Sequence, residues 1–151
     1  VHHYMSSKRY QLWALIHKVF PPSNEHLQTL SHKERPGLQI TLPKSKLQLG
    51  RLAMEQSQYR KALEHFEAIL MENPDNAWAW HGKGDAHQWL DDYKESSLAY
   101  EQACVLNPTE GLHWGGRANA HYGLDNMERA LELKEQSLML NPSLHWLFKE
   151  W

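Results

Sequence analysis

The dipeptide Asn-Pro occurs at Asn73-Pro74, Asn107-Pro108 and Asn141-Pro142, each copy 34 residues after the last. Proline makes up only about one residue in twenty of an average chain, so two further matches at one interval are not chance. Other positions keep the same register: Tyr59 and Tyr93, Gly50 and Gly84, Trp80 and Trp114, Ala62 and Ala130, and Glu67, Glu101 and Glu135. Such a period constrains the chain more than its composition does. Each unit must be a small element that buries its apolar face only by stacking on its copies.

Within a unit the pattern reads as two helices. First helices are expected near 44–56, 76–89 and 110–123, and second helices near 59–72, 93–106 and 127–140. The second set carries apolar residues at three- and four-residue spacing, as in Ala62, Phe66, Ile69 and Leu70. Each second helix stops before its proline, which cannot continue it.

In these residues the chain resembles the tetratricopeptide repeat (TPR) family, a 34-residue helix-turn-helix with an aromatic near its start, small residues where the two helices meet, and a closing proline. Trp80, Gly84, Tyr93, Tyr100, Ala103 and Pro108 carry the match in the middle unit. Leu49, Gly50, Tyr59, Ala62, Phe66 and Pro74 carry it in the first, and Trp114, Ala118, Ala130 and Pro142 in the third. Lys46 stands where the first unit should have its aromatic, and Lys134 replaces the second-helix aromatic of the third. The resemblance covers about 43–142 and implies an all-α solenoid with units 43–76, 77–110 and 111–144, followed by a capping helix or partial fourth unit.

Residues 1–42 fall outside the register. Residues 6–20 read as an amphipathic helix halted by Pro21-Pro22, and 21–42 as a loop with one short extended piece near 38–42. Residues 1–46 hold seven Lys/Arg and two acids, whereas 47–151 hold nine and sixteen. That asymmetry favours docking of the first segment on the repeats, and whether residues 1–42 fill the groove stays open. After Pro142, Leu144, Trp146, Phe148 and Trp151 make an aromatic-rich end, the natural interface for self-association.

Several function classes lose support. A formal charge of -2 removes the general electrostatic case for nucleic acid. Three cations on 6–20 give weak attraction to anionic lipid, so membrane contact is disfavoured. Cys104, the one cysteine, cannot close an intramolecular disulfide, and a reducing, cytoplasmic setting is the default. Gly82-Lys83-Gly84-Asp85 lacks the phosphate-loop order and falls inside a helix. Eleven histidines include no HExxH or i,i+4 pair, and packing accounts for His87 and His121, which share a register position. No catalytic residue, metal or cofactor is expected, and the chain does not read as an enzyme.

The resemblance instead implies a concave groove, lined by the first helices, that receives a peptide or a partner segment. Carried onto this chain, the groove residues are Lys44, Arg51, Trp78, His81, Asp85, Trp89, Asn119 and Tyr122. Trp78 and Trp89 are not needed for the packing that Trp80 serves, and beside Arg51 they look like binding anchors. Leu47, Gly82, Leu112 and Gly116 occupy most places where chaperone-binding modules of the family carry a two-carboxylate clamp, so that role is disfavoured. The expected function is a protein–protein interaction module. The alternative is a non-catalytic regulatory or assembly portion of a larger enzyme or complex that contacts partners through its ends.

Overall fold

The computed structural model describes residues 44–151, and the expectations for 1–42 lie outside it. Among the described residues there are six α-helices, one 3₁₀ helix and no strand. They are α1 (Lys46–Glu55), α2 (Tyr59–Glu72), α3 (Ala77–Trp89), α4 (Tyr93–Leu106), α5 (Gly111–Gly123), α6 (Met127–Leu140) and the 3₁₀ helix Pro142–Phe148. The six expected repeat helices are all present, within two residues at each end.

The Asn-Pro dipeptide makes the joint between units. Proline bars the preceding residue from helical backbone, and Asn73, Asn107 and Asn141 accordingly leave the helix with φ near -140°. Their side chains then bond forward: Asn73 Oδ1 accepts from the Asp75 amide at 3.2 Å and Asn141 Oδ1 from the Ser143 amide at 3.1 Å. This local bond replaces the helical one and turns the chain into the next unit. Trp80 and Trp114 lock the joint from the other side, each donating its indole N–H to the carbonyl of Pro74 or Pro108 at 2.8 and 2.9 Å. In the first unit Lys46 cannot do this and forms an ion pair with Glu72 instead.

The turn inside each unit is equally regular. Ser57, Asp91 and Asp125, 34 residues apart, adopt φ of 59°, 58° and 59°. In the middle unit the Asp91 amide donates to Gln88 and the Asp92 amide to His87, the paired bonds of a Schellman motif, and the other two units repeat it. Glycine usually takes this left-handed position. Asp and Ser hold it here because their short polar side chains tolerate it better than bulky ones do.

Packing follows from two aromatics. A Cβ on Gly50 or Gly82 would lie 2.6 or 2.5 Å from the Phe66 ring, so the ring of α2 is wedged against both α1 and α3. Tyr100 of α4 sits in the same way against Gly84 of α3 and Gly116 of α5. The small residues are therefore required by close approach, as the sequence implies. Within a pair, the Ser96 hydroxyl of α4 donates to the Gly84 carbonyl at 2.8 Å, satisfying a polar group on a buried face. Lys83 with Glu67 at 3.6 Å and Arg117 with Glu101 at 3.8 Å repeat one surface ion pair in successive units. Half-exposed pairs of this kind contribute under about 1 kcal/mol each.

Successive first helices α1, α3 and α5 touch one another, while each second helix reaches the next unit through that unit's first helix. The first helices thus form the inner layer of the array. Asn76 caps α3 by accepting from the Ala79 amide at 3.1 Å. Asn76→Ala is expected to cost about 1 kcal/mol in urea denaturation, the ordinary loss for a helix cap.

Candidate partner-binding face

Trp78 lies in the first turn of α3 and keeps 37% of its surface exposed. Its ring stands edge-on to His81 and His113, with centroids 5.4 and 4.8 Å away. His81 and His113 face each other through their Nδ1 atoms at 2.9 Å, so one ring donates and the other accepts. His81 Nε2 is 3.6 Å from Asp85 Oδ2, and the Tyr100 phenol donates to Asp85 Oδ1. A polar chain His113–His81–Asp85–Tyr100 therefore runs beneath the exposed indole and fixes its floor.

Burial decides the charge states in this chain. His113 is fully buried, and burial, reinforced by the neighbouring His81, pushes its pKa down to about 2. It is neutral at physiological pH. Burial and then the Asp85 charge hold the Tyr100 phenol well above its usual range, so it stays a donor. Elsewhere, burial raises the Cys104 thiol to about 11, which leaves it protonated and poorly nucleophilic.

The expected groove residues separate into four groups. Trp78, His81 and Asp85 share one cluster. Lys44 is exposed just ahead of α1, and Arg51 is half-buried within it. Trp89 is not a free anchor: it stacks on Tyr59 of α2 at 5.4 Å and 11°. Gly123 takes the same register position one unit later, with Tyr93 against it. Asn119 and Tyr122 are engaged by Trp151, whose indole N–H donates to Asn119 Oδ1 at 3.0 Å and whose ring stacks on Tyr122 at 4.8 Å.

Of the expected end interface, Leu144 and Phe148 are buried, and a Cβ on Gly115 would run into Leu147, so this segment packs on α5. Trp146 is half-buried. The large apolar side chains left open in the third unit are Leu124, Met127 and Leu131, with Met139 farther along α6.

Sequence reading missed His113 because it stands 32 residues from His81, out of step with the 34-residue repeat. His87 and His121 have packing roles: His87 Nδ1 is 3.5 Å from Asp92, and His121 Nε2 is 3.1 Å from the Ser97 hydroxyl. Among the described residues, no group of three or more His, Cys, Asp or Glu side chains could hold a metal ion. No helix among them is long and apolar enough to cross a membrane.

A family model for the tetratricopeptide repeat matches residues 53–103. A search of curated proteins finds no match. Among solved structures, the chain is similar to the first TPR domain of Spaghetti (RPAP3) bound to an HSP90 peptide, with 21% identity and a TM-score of 0.64, covering 67% of this chain and 82% of that one. It is also similar to the second TPR domain of human RPAP3 in complex with an HSP70 peptide, at 20% identity, TM-score 0.65 and coverage of 68% and 86%. The Arabidopsis OM64 TPR domain matches at 18% identity, TM-score 0.66 and coverage of 68% and 84%.

Proposed function

Because the chain is a tetratricopeptide-repeat protein, we propose that it serves as a protein–protein interaction module whose inner helix layer takes a peptide or partner segment. The observation that carries this reading is Trp78, a large aromatic held half-open on α3 over a rigid polar floor. Aromatics of this kind make strong anchors, since they bury much area with little loss of side-chain freedom. Lys44 and Arg51, at register positions that the family resemblance assigns to the same face, suit an acidic group in the same ligand.

Two of the solved relatives hold HSP90 and HSP70 peptides. This groove differs in chemistry, with Leu47, Leu112 and Gly116 at clamp positions and the Asp85 carboxylate near its centre. A ligand with an aromatic or aliphatic anchor and an acidic neighbour suits it better than a tail held by two carboxylate clamps.

The test is capture of partners by the wild-type chain beside a Trp78→Ala/Lys44→Glu variant of equal helicity. A Met71→Ser/Met139→Ser variant on the outer helices serves as control. Trp89 is left intact because its stack on Tyr59 is structural. A partner bound by wild type and the outer-face control, but weakened at least about tenfold by the groove variant, supports the reading; that loss corresponds to roughly 1.4 kcal/mol. Equal capture by all three overturns it.

A second reading, contact through the end of the array, is favoured by Met127. It holds the register of Tyr59 and Tyr93, which are covered by Trp89 and Gly123 of the next unit, yet remains open beside Leu124 and Leu131. An assembly or regulatory partner that covered these three residues would be lost on Met127→Glu and indifferent to Trp78→Ala.

A further inference from the structure

The third unit already shows what one part of the inner face can hold. Trp151 lies there with its N–H on Asn119 Oδ1 at 3.0 Å and its ring parallel to Tyr122, at 4.8 Å and 16°. The Lys134 ammonium stands 5.1 Å from the centre of the same ring, and Phe148 meets it edge-on at 5.1 Å. These contacts discriminate. Stacking on Tyr122 accepts any flat ring, but the Asn119 oxygen needs an N–H donor, and the cation favours the electron-rich indole over phenyl. Only a tryptophan side chain uses all of them.

Lys134 is the most telling member. It stands at the register of Phe66 and Tyr100, the wedges of the first two units, and is the departure that repeat packing alone does not explain. Here it lies over Trp151 and Phe148 instead of between helices. Asn119 and Tyr122, in turn, face the layer the groove reading assigns to ligand.

We propose that Asn119, Tyr122 and Lys134 form an indole-binding subsite, that its ligand in trans is a peptide segment bearing a tryptophan, and that Trp151 is the competitor resident in cis. Trp151 follows a short 3₁₀ helix and its backbone amide makes one bond, to the Phe148 carbonyl at 3.2 Å, so its release disturbs no α-helix. A resident side chain competes at a high effective concentration and lowers the apparent affinity of the incoming ligand by the fraction of time the site is filled.

The proposal rests on the groove as the ligand face, and the two fail separately. A partner lost with Trp78→Ala/Lys44→Glu but blind to Trp151→Ala leaves the groove and removes the subsite. The direct test titrates the whole chain with N-acetyl-tryptophanamide and N-acetyl-phenylalaninamide, followed by NMR at the Tyr122 backbone amide, which every variant retains. Trp151→Ala is expected to bind the tryptophan probe at least about tenfold more tightly than wild type, as a site occupied over nine-tenths of the time requires. It is expected to prefer that probe over the phenylalanine one. Adding Asn119→Ala should reduce the preference to what the Lys134 cation alone supplies, while the stack on Tyr122 still accepts both. Equal binding by wild type and Trp151→Ala, no binding to either, or no preference between the probes in Trp151→Ala overturns the proposal. Trp151→Ser, which removes the indole while leaving a hydrophilic residue, must repeat the gain seen with alanine; failure to do so also overturns it.

Discussion

Phe66→Ala is expected to destabilise the repeat array by about 3–5 kcal/mol, the range for removing a fully enclosed aromatic from a core that cannot collapse to fill the space. The ring is 2% exposed and presses on the backbone of Gly50 in α1 and Gly82 in α3. Its loss therefore empties the seam within the first unit and the seam between the first and second at once. No neighbouring side chain stands ready to enter, because the facing positions are glycines. Repeat arrays gain stability from such nearest-neighbour seams, so the first unit should loosen before the third. Urea denaturation followed by circular dichroism measures the loss, and hydrogen exchange should place it in α1–α3. Lys134→Ala at the equivalent position of the third unit is the internal contrast. Lys134 is half-buried, wedges no glycine, and should cost under about 1 kcal/mol. Comparable losses from the two substitutions would mean that the aromatic wedge is not what joins the units.

The same residues explain how much of the fold could be read from the sequence. Proline, the small residues and the aromatic wedges act locally or between adjacent units, at separations the repeat itself displays. Six helices were consequently legible with their boundaries. The left-handed turns at Ser57, Asp91 and Asp125 carry no glycine and give no compositional sign of their backbone. The binding face was legible only as a set of register positions. Register identifies which side of a helix a residue occupies, but not which neighbour reaches it. Trp78 keeps its exposure, while Trp89 is taken by Tyr59 and Tyr122 by Trp151. For Trp89 a signal was present: Tyr59 and Tyr93 both precede, by 30 residues, a position that packs on them. For Trp151 there was none, because its contact with Asn119 spans 32 residues and breaks the repeat spacing.

His113 gives the array a stability that depends on pH. In the folded chain it is held neutral, with its pKa near 2, by burial first and by His81 second. In the unfolded chain it titrates near the usual histidine value of about 6.5. A depressed folded pKa means that the unfolded state binds the extra proton between these two values, so acid favours unfolding. The stability linked to His113 is complete above about pH 6.5 and falls by roughly 1.4 kcal/mol per pH unit on acidification below it. Between pH 7.5 and 5.0 the loss from this one residue is about 2 kcal/mol. Asp85 and Tyr100 belong to the same polar chain, Trp78 closes it from outside, and His81 faces the titrating ring directly. His121 adds a smaller change of the same sign, because burial and then Arg117 and Arg129 disfavour its proton as well. The control is His113→Gln, which keeps a polar side chain of similar reach and cannot titrate. Urea denaturation at the two pH values should show wild type losing about 2 kcal/mol more than His113→Gln. An equal loss in the two chains would mean that His113 takes up its proton while folded. The floor beneath Trp78 would then be open to water, and the rigid platform on which the binding reading depends would be gone.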